Sequence, residues 1–198
     1  VVKRILDREK KDSTEAEALV ERISERARNL YQSHQLLCTE AVVVALNRGL
    51  GGGFTDAQAV SMAAPFCLAL GESGCLCGAL SGAVMCCGLF LGKDRPYRYR
   101  RVMRDGARHL HDAFKASNGA TCCRVLSKKI GHDKKAHFRQ CADLTAEAAE
   151  LAARLILQQR PELMEQVNHG FLSKRQSKIS GALIRLFHYF SHRKGIFA

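Results

Sequence analysis

The chain has no tryptophan and only 3 prolines and 4 methionines among 198 residues. So few prolines leave long stretches free of an obligatory helix break. No alternation of apolar and polar residues is long enough to argue a sheet, and no internal repeat is visible, which excludes strand-built and solenoid architectures. There is no P-loop, no dinucleotide fingerprint and no nucleophile elbow, so the commonest phosphate-cradling and acyl-transfer chemistries have no sequence basis. The opening segment, VVKRILDREKKD, lacks an apolar h-region, and no cleavable signal peptide is expected from it. The chain starts at Val1, which leaves the native N-terminus open.

What is abundant is cysteine. The chain has 9, an odd number that fits poorly with a closed set of disulfides. Hydrophobic residues make up 46%, so a core can form without covalent staples. A reducing, cytoplasmic compartment is therefore expected, where clustered cysteines more often bind metal or react than brace the fold. Local metal signatures are nevertheless missing: there is no CxxC, no CxxCH for covalent haem, no zinc-ribbon pairing and no ferredoxin spacing.

The apolar spacing predicts an all-α protein, a compact multi-helix bundle around a central Gly/Ala/Cys-rich helix. Ser13 or Thr14 can cap a helix to about Ser33, with Leu19, Ile23, Ala27 and Leu30 on one stripe. A second helix is expected over 36–48, ended by Gly51-Gly52-Gly53. Thr55 and Gln58 form a capping-box pattern for a third, which Pro65 should split. Further helices are expected over 78–91, 101–115, 121–130, from Asp143 or Thr145 to Gln159, and over 176–192. Three regions follow: an N-terminal helical extension (1–30), a cysteine-rich helical domain (31–160) and a basic tail (161–198).

The stretch GESGCLCGALSGAVMCCG, Gly71 to Gly88, concentrates four of the cysteines and five glycines. Ser73 to Gly92 is 20 residues without a charge, long enough to span a bilayer, and Gly78 and Gly82 form a GxxxG pair. The loop-like SGCLCG shortens the helix proper, so a buried central helix is the better reading, with small residues letting neighbouring backbones approach. Cys75 and Cys77 fall at a loop-to-helix junction, where free amides stabilise a thiolate. Cys86 and Cys87 read as small core hydrophobes. Cys38 opens a helix, Cys122 and Cys123 begin another, and Cys141 precedes the alanine-rich one. Of the eight histidines, His34 stands out as close to a favoured cysteine.

CGALSG (Cys77 to Gly82), Cys38 in LLCTEAVVVAL, Cys123 in TCCRVL and Cys141 in QCADLTAEAAELAARL together resemble the C_GCAxxG_C_C family of redox-active proteins, over about Tyr31 to Leu157. The chain is also similar to the iron–sulfur part of split-Soret cytochromes c, without their haem motif. The resemblance implies a four-cysteine site, Cys38, Cys77, Cys123 and Cys141, holding an iron–sulfur cluster of the [2Fe-2S] type and passing single electrons. Cys75, Cys122 and Cys67 are alternates. Two other readings stay open: a metal-free thiol–disulfide redox protein on the same cysteines, and a helical interaction module whose thiols merely pack.

The net charge is +12, and Gly170 to Ala198 holds six basic residues and no acid. Within it Lys174, Arg175, Lys178, Arg185, Phe187 and Phe190 suggest a basic amphipathic helix for an anionic membrane surface or an acidic partner. A redox partner protein and a homodimer are the other expected partners. Nucleic acid is disfavoured: Tyr97 and Tyr99 lie between arginines, but no binding fold accompanies them.

Overall fold

Helices here follow the apolar spacing and stop where glycine or proline intervenes. The structure, a computed structural model, describes residues 2–177, with side chains from Ser13 onward. Helix α1 (Val2–Gln32) contains no glycine or proline, so it runs straight through Ser13 and Thr14, which are interior residues rather than caps. Its Leu19, Val20, Ile23, Ala27 and Leu30 are buried, forming the expected stripe, and they face α8. Helix α2 (Cys38–Leu50) begins where the Leu37 N–H donates to Glu40 Oε2 at 2.8 Å, and ends on left-handed Gly51. Asn47 then fixes the glycine loop, donating to Phe54 O at 2.8 Å and accepting from its N–H at 3.1 Å.

Helix α3 (Asp56–Ala63) has the reciprocal Thr55/Gln58 cap. Pro65 converts the next turn to a 3-10 turn, Ala64–Phe66, because it cannot donate to the α ladder. The short α4 (Cys67–Gly71) follows, then α5 (Gly78–Gly92), α6 (Arg100–Asn118), α7 (Cys123–Ser127) and α8 (Lys134–Gln159). After α8 come the 3-10 turn Pro161–Gln166 and the short α9 (His169–Leu172). The fold is an all-α bundle, with no strand among the described residues. Helix α8 starts well before Asp143: Asp133 Oδ1 accepts from the N–H groups of Lys135 (2.9 Å) and Ala136 (3.0 Å). The polar stretch KKAHFRQ hid this turn of helix from an apolar-spacing argument. It places Cys141 inside α8 rather than ahead of it.

Helix α5 is the axis of the bundle and packs on α2, α6 and α8. Eleven of its 15 residues are buried, and a helix apolar on every side belongs in a core. At about 1.5 Å per residue it is too short for a bilayer, and no helix among the described residues is long and apolar enough to cross one. The GxxxG pair faces α2 instead. A methyl at position 78 would lie 2.6 Å from Cys38 Sγ and 2.7 Å from Thr39 Oγ1; one at position 82 would lie 2.9 Å from Thr39 O and from Val42 Cβ.

At the other end, Arg26 binds the chain after α9. It is buried and donates to Asn29 Oδ1 and to Lys174 O, each at 2.9 Å. Arg26 and Arg48 both lie over the Phe171 ring, at 4.6 and 4.4 Å. Burial, with Arg48 nearby, lowers the Arg26 pKa to about 10. Arg175 pairs with Glu25 on α1 at 2.5 Å. Of the expected helix over 176–192, Gln176 and Ser177 are described and are not helical, and the rest, with Lys178, Arg185, Phe187 and Phe190, lies outside the described residues.

Gly82→Ala is expected to destabilise the protein by about 1–3 kcal/mol, because a carbonyl and a β-branched side chain of α2 fill the space its methyl needs. Gly88→Ala, where nothing lies within 4 Å on the same helix, should instead stabilise by about 0.5–1 kcal/mol. Urea denaturation of the two variants checks both signs; equal effects would show that the α2–α5 contact is loose.

Candidate thiol site

The four cysteines of the sequence pattern reach one place from four elements. Cys38 is the first residue of α2 and lies against the Gly78 backbone. Cys77 is the N-cap of α5; its N–H donates to Thr121 O at 2.7 Å, and its carbonyl accepts from Ser81 N–H at 2.9 Å. Cys123 is the first residue of α7. Cys141 lies in α8, its Sγ 3.6 Å from His137 Nε2 one turn earlier. All four line a single cavity of about 430 Å³, together with Tyr31, His137 and Arg124.

Two loops are pinned together to make this wall. The Arg124 N–H donates to Gly74 O at 3.1 Å, its guanidinium to Ser73 O at 2.7 Å, and Cys122 Sγ to Gly74 O at 3.1 Å. Gly74 has φ +78, and a methyl there would lie 3.0 Å from Arg124 Nε, so both backbone conformation and space call for glycine.

Opposite stands an unusual backbone. Leu68, Ala69, Leu70, Gly71 and Glu72 have φ of 53, 60, 61, 59 and 67. A left-handed run costs side-chain-bearing residues about 1–2 kcal/mol each. It is held by Ser73 Oγ donating to Ala69 O at 2.8 Å, and it presents Leu68, Ala69 and Glu72 to the cavity.

The sulfurs differ in their surroundings. The Cys67 thiol donates to Ala63 O at 3.8 Å; the neighbouring Cys67 thiol, against burial and with the Leu68 N–H, holds Cys38 below the usual thiol range, and the nearby Cys38 with burial pushes Cys67 above it. Burial raises Cys141, and the Tyr31 hydroxyl donating to its sulfur works the other way. Burial of the Tyr31 phenol, with Cys141 beside it, raises that group in turn. The Tyr31 ring stacks on Phe138 at 5.0 Å, and His34 stacks on the same ring at 4.6 Å. Burial pushes Cys77 up to about 11. Cys123 is raised by burial first and by Cys122 second.

This geometry corrects the iron–sulfur reading. Among the described residues, no group of three or more His, Cys, Asp or Glu side chains is placed to hold a metal ion. A [2Fe-2S] cluster, metal binding and single-electron transfer through it are therefore not supported. The physical reason is that the sulfurs have other partners: on the cavity wall Cys141 Sγ lies 3.6 Å from His137 Nε2, and outside the lining the Cys67 thiol donates to Ala63 O at 3.8 Å and the Cys122 thiol to Gly74 O at 3.1 Å. All nine cysteines are free thiols.

Of the alternates, Cys75 is exposed, Cys122 is half-buried and Cys67 is buried, and none of the three lines the cavity. Cys86 and Cys87 are buried in α5; burial raises Cys86, and pushes Cys87 up to about 11. Spacing alone missed Tyr31, Arg124 and His137. His137 precedes Cys141 by one helical turn, a signal that would have been usable had α8 been extended back to Asp133. His34, preferred on chain proximity, stacks on Phe138 instead.

The fold and site define a class: an all-helical protein that gathers free thiols from several helices at one cavity. The chain belongs to the family described as "Putative redox-active protein (C_GCAxxG_C_C)", whose model matches residues 36–155. No curated protein and no solved structure matches the chain.

The raised thiols make stability pH-dependent. The folded protein keeps Cys77 and Cys87 protonated up to about 11, whereas the unfolded chain ionises them from the ordinary 9.0. The unfolded state thus binds fewer protons in that window, so stability is full below pH 9 and falls as pH rises from about 9 towards 11, by up to about 2 kcal/mol per thiol. Melting under a phosphine reductant should show Tm dropping over that range, and less so in Cys87→Ala; a Tm drop unchanged by Cys87→Ala would contradict the assignment of Cys87.

Proposed function

We propose that the protein is a thiol–disulfide redox protein in which cysteine sulfurs themselves carry the electrons. The observation that carries the reading is the meeting of Cys38, Cys77, Cys123 and Cys141, all free, on the wall of one cavity. Membership of a family described as redox-active supports it. In oxidation, two thiols lose two protons and two electrons to an external disulfide and form a protein disulfide; the external disulfide becomes two thiols. A thiolate is the attacking species, and Cys38, held below the usual thiol range at the head of α2, supplies one more readily than an ordinary thiol.

A redox partner protein is the proposed source or sink of these electrons. Leu37 and Leu68, 40% and 51% exposed, stand at the cavity and offer apolar surface to it. A reducing compartment such as the cytoplasm suits a protein that keeps nine free thiols.

The test is a thiol count. Treating the reduced protein with diamide should remove two thiols per chain, leave the chain monomeric on a non-reducing gel, and be fully reversed by dithiothreitol. Cys38→Ser should slow the loss about tenfold or more, since it removes the most reactive thiolate. Thiols that do not respond to diamide, or are lost irreversibly, would overturn the reading.

A further inference from the structure

Helix α8 sends two reactive side chains to the cavity, His137 and Cys141. They are one helical turn apart, so the helix stacks them on one face. Cys141 Sγ lies 3.6 Å from His137 Nε2, a distance that a thiol–imidazole contact spans because sulfur is large. The turn that carries them is fixed. The His137 N–H donates to Asp133 O at 2.9 Å, Gln140 Nε2 donates across to Leu126 O at 3.0 Å, and Thr145 Oγ1 donates to Cys141 O at 2.7 Å. One helix therefore sets the pairing, with no loop that has to close.

Access differs between the two. Cys141 is half-buried, whereas His137 is exposed. A thiol partly removed from water yields a thiolate poorly on its own, since burial disfavours charge. An imidazole in contact with it can take the proton. The walls supply the rest. Leu37, Leu68, Ala79 and Leu144 make the cavity largely apolar, and its volume of about 430 Å³ suits a small molecule. The titratable and charged groups that face the pair are Tyr31 from α1, Cys38 from α2, Glu72 from the left-handed run, Cys77 from the cap of α5, and Cys123 and Arg124 from α7. His34 stacks on Phe138, the residue after His137. The Glu72 carboxylate favours an imidazolium in this cavity, and the Arg124 guanidinium, engaged on Ser73 O, opposes it.

We propose that His137 is the proton acceptor of Cys141, and that the pair makes Cys141 a second nucleophile of the cavity, directed at small disulfides; this rests on the thiol-redox reading above. Neutral His137, with its hydrogen on Nδ1, takes the Cys141 proton at Nε2, and the sulfur attacks RSSR. A Cys141–S–S–R bond forms as the S–S bond of RSSR breaks. RS⁻ leaves and takes the proton back from the imidazolium. Cys141 is oxidised to a mixed disulfide, one half of RSSR is reduced to RSH, and His137 ends neutral. The step uses no second protein sulfur.

Trypsin separates the thiols: Cys141 falls in peptide 140–154 and Cys38 in peptide 29–48, each with a single cysteine. The full reduced chain is labelled briefly with iodoacetamide at a series of pH values and read peptide by peptide by mass spectrometry. Cys141 labelling should rise through the imidazole range, about pH 6–7, and then level off. In His137→Gln that step should vanish and the rate at about pH 7.5 should fall about tenfold or more, with Cys38 labelled as in the parent. Hydroxyethyl disulfide should leave its thiol half on Cys141 of the parent, and about tenfold more slowly in the variant. A parent profile that rises only in the thiol range, above about pH 8, would overturn the role of His137 without any variant. Equal Cys141 rates in parent and variant would do the same, and a mixed disulfide on Cys38 would then leave the thiol-redox reading standing. An imidazole step at Cys141 with no mixed disulfide on any peptide would overturn that reading and leave the proton transfer standing.

Discussion

Helix α2 lies directly on the backbone of α5 at Gly78 and Gly82, and the rest of the site is arranged around that contact. The distance left there is too small for a methyl, so the first turn of α2 and the first turn of α5 start side by side. Cys38 heads one and Cys77 caps the other. With any larger residue at position 78, the sulfur of Cys38 would be displaced before any question of chemistry arose. The glycines of the motif are thus spacers, not flexible joints, because α5 is helical at both.

The same contact explains why α4 takes an expensive conformation. Pro65 ends α3, and the chain has to turn back across the head of α2 to reach the start of α5. It does so through the 3-10 turn and the left-handed run Leu68–Glu72. Phe66 O lies 3.0 Å from where a side chain on Gly78 would begin, so there is no room for a looser path. The strain sits beside Cys67 and forms one side of the cavity, and buried packing of α2, α5 and α8 offsets it.

Electrostatic individuality follows from these placements. Chemically identical thiols acquire different acidities where they meet different mixtures of burial and hydrogen bonding. Cys38 has the Cys67 thiol and the Leu68 N–H nearby and is lowered; Cys86 has only burial and a neighbouring thiol and is raised. Cys141 lies between these, with burial outweighing the Tyr31 hydroxyl. A cavity walled by thiols of unequal acidity suits stepwise sulfur exchange better than joint capture of one ion.

Much of this was legible in the residues. The helices, the Thr55 cap, the break at Pro65 and the buried nature of α5 all follow from local spacing and from residues that terminate helices. The four pattern cysteines and their glycines were visible as a set. The start of α8 was not, because its first turns carry polar side chains and the cap at Asp133 was passed over. That misplacement removed His137 from view and put Cys141 at a helix start it does not occupy. The sequence by itself determined an all-helical bundle with a glycine-spaced central helix and thiols enough for a redox site. Only tertiary structure decided that the thiols stay apart with separate partners instead of closing on a metal. Only it decided which donor each sulfur meets, since that depends on how separate helices dock, and no local pattern carries that information.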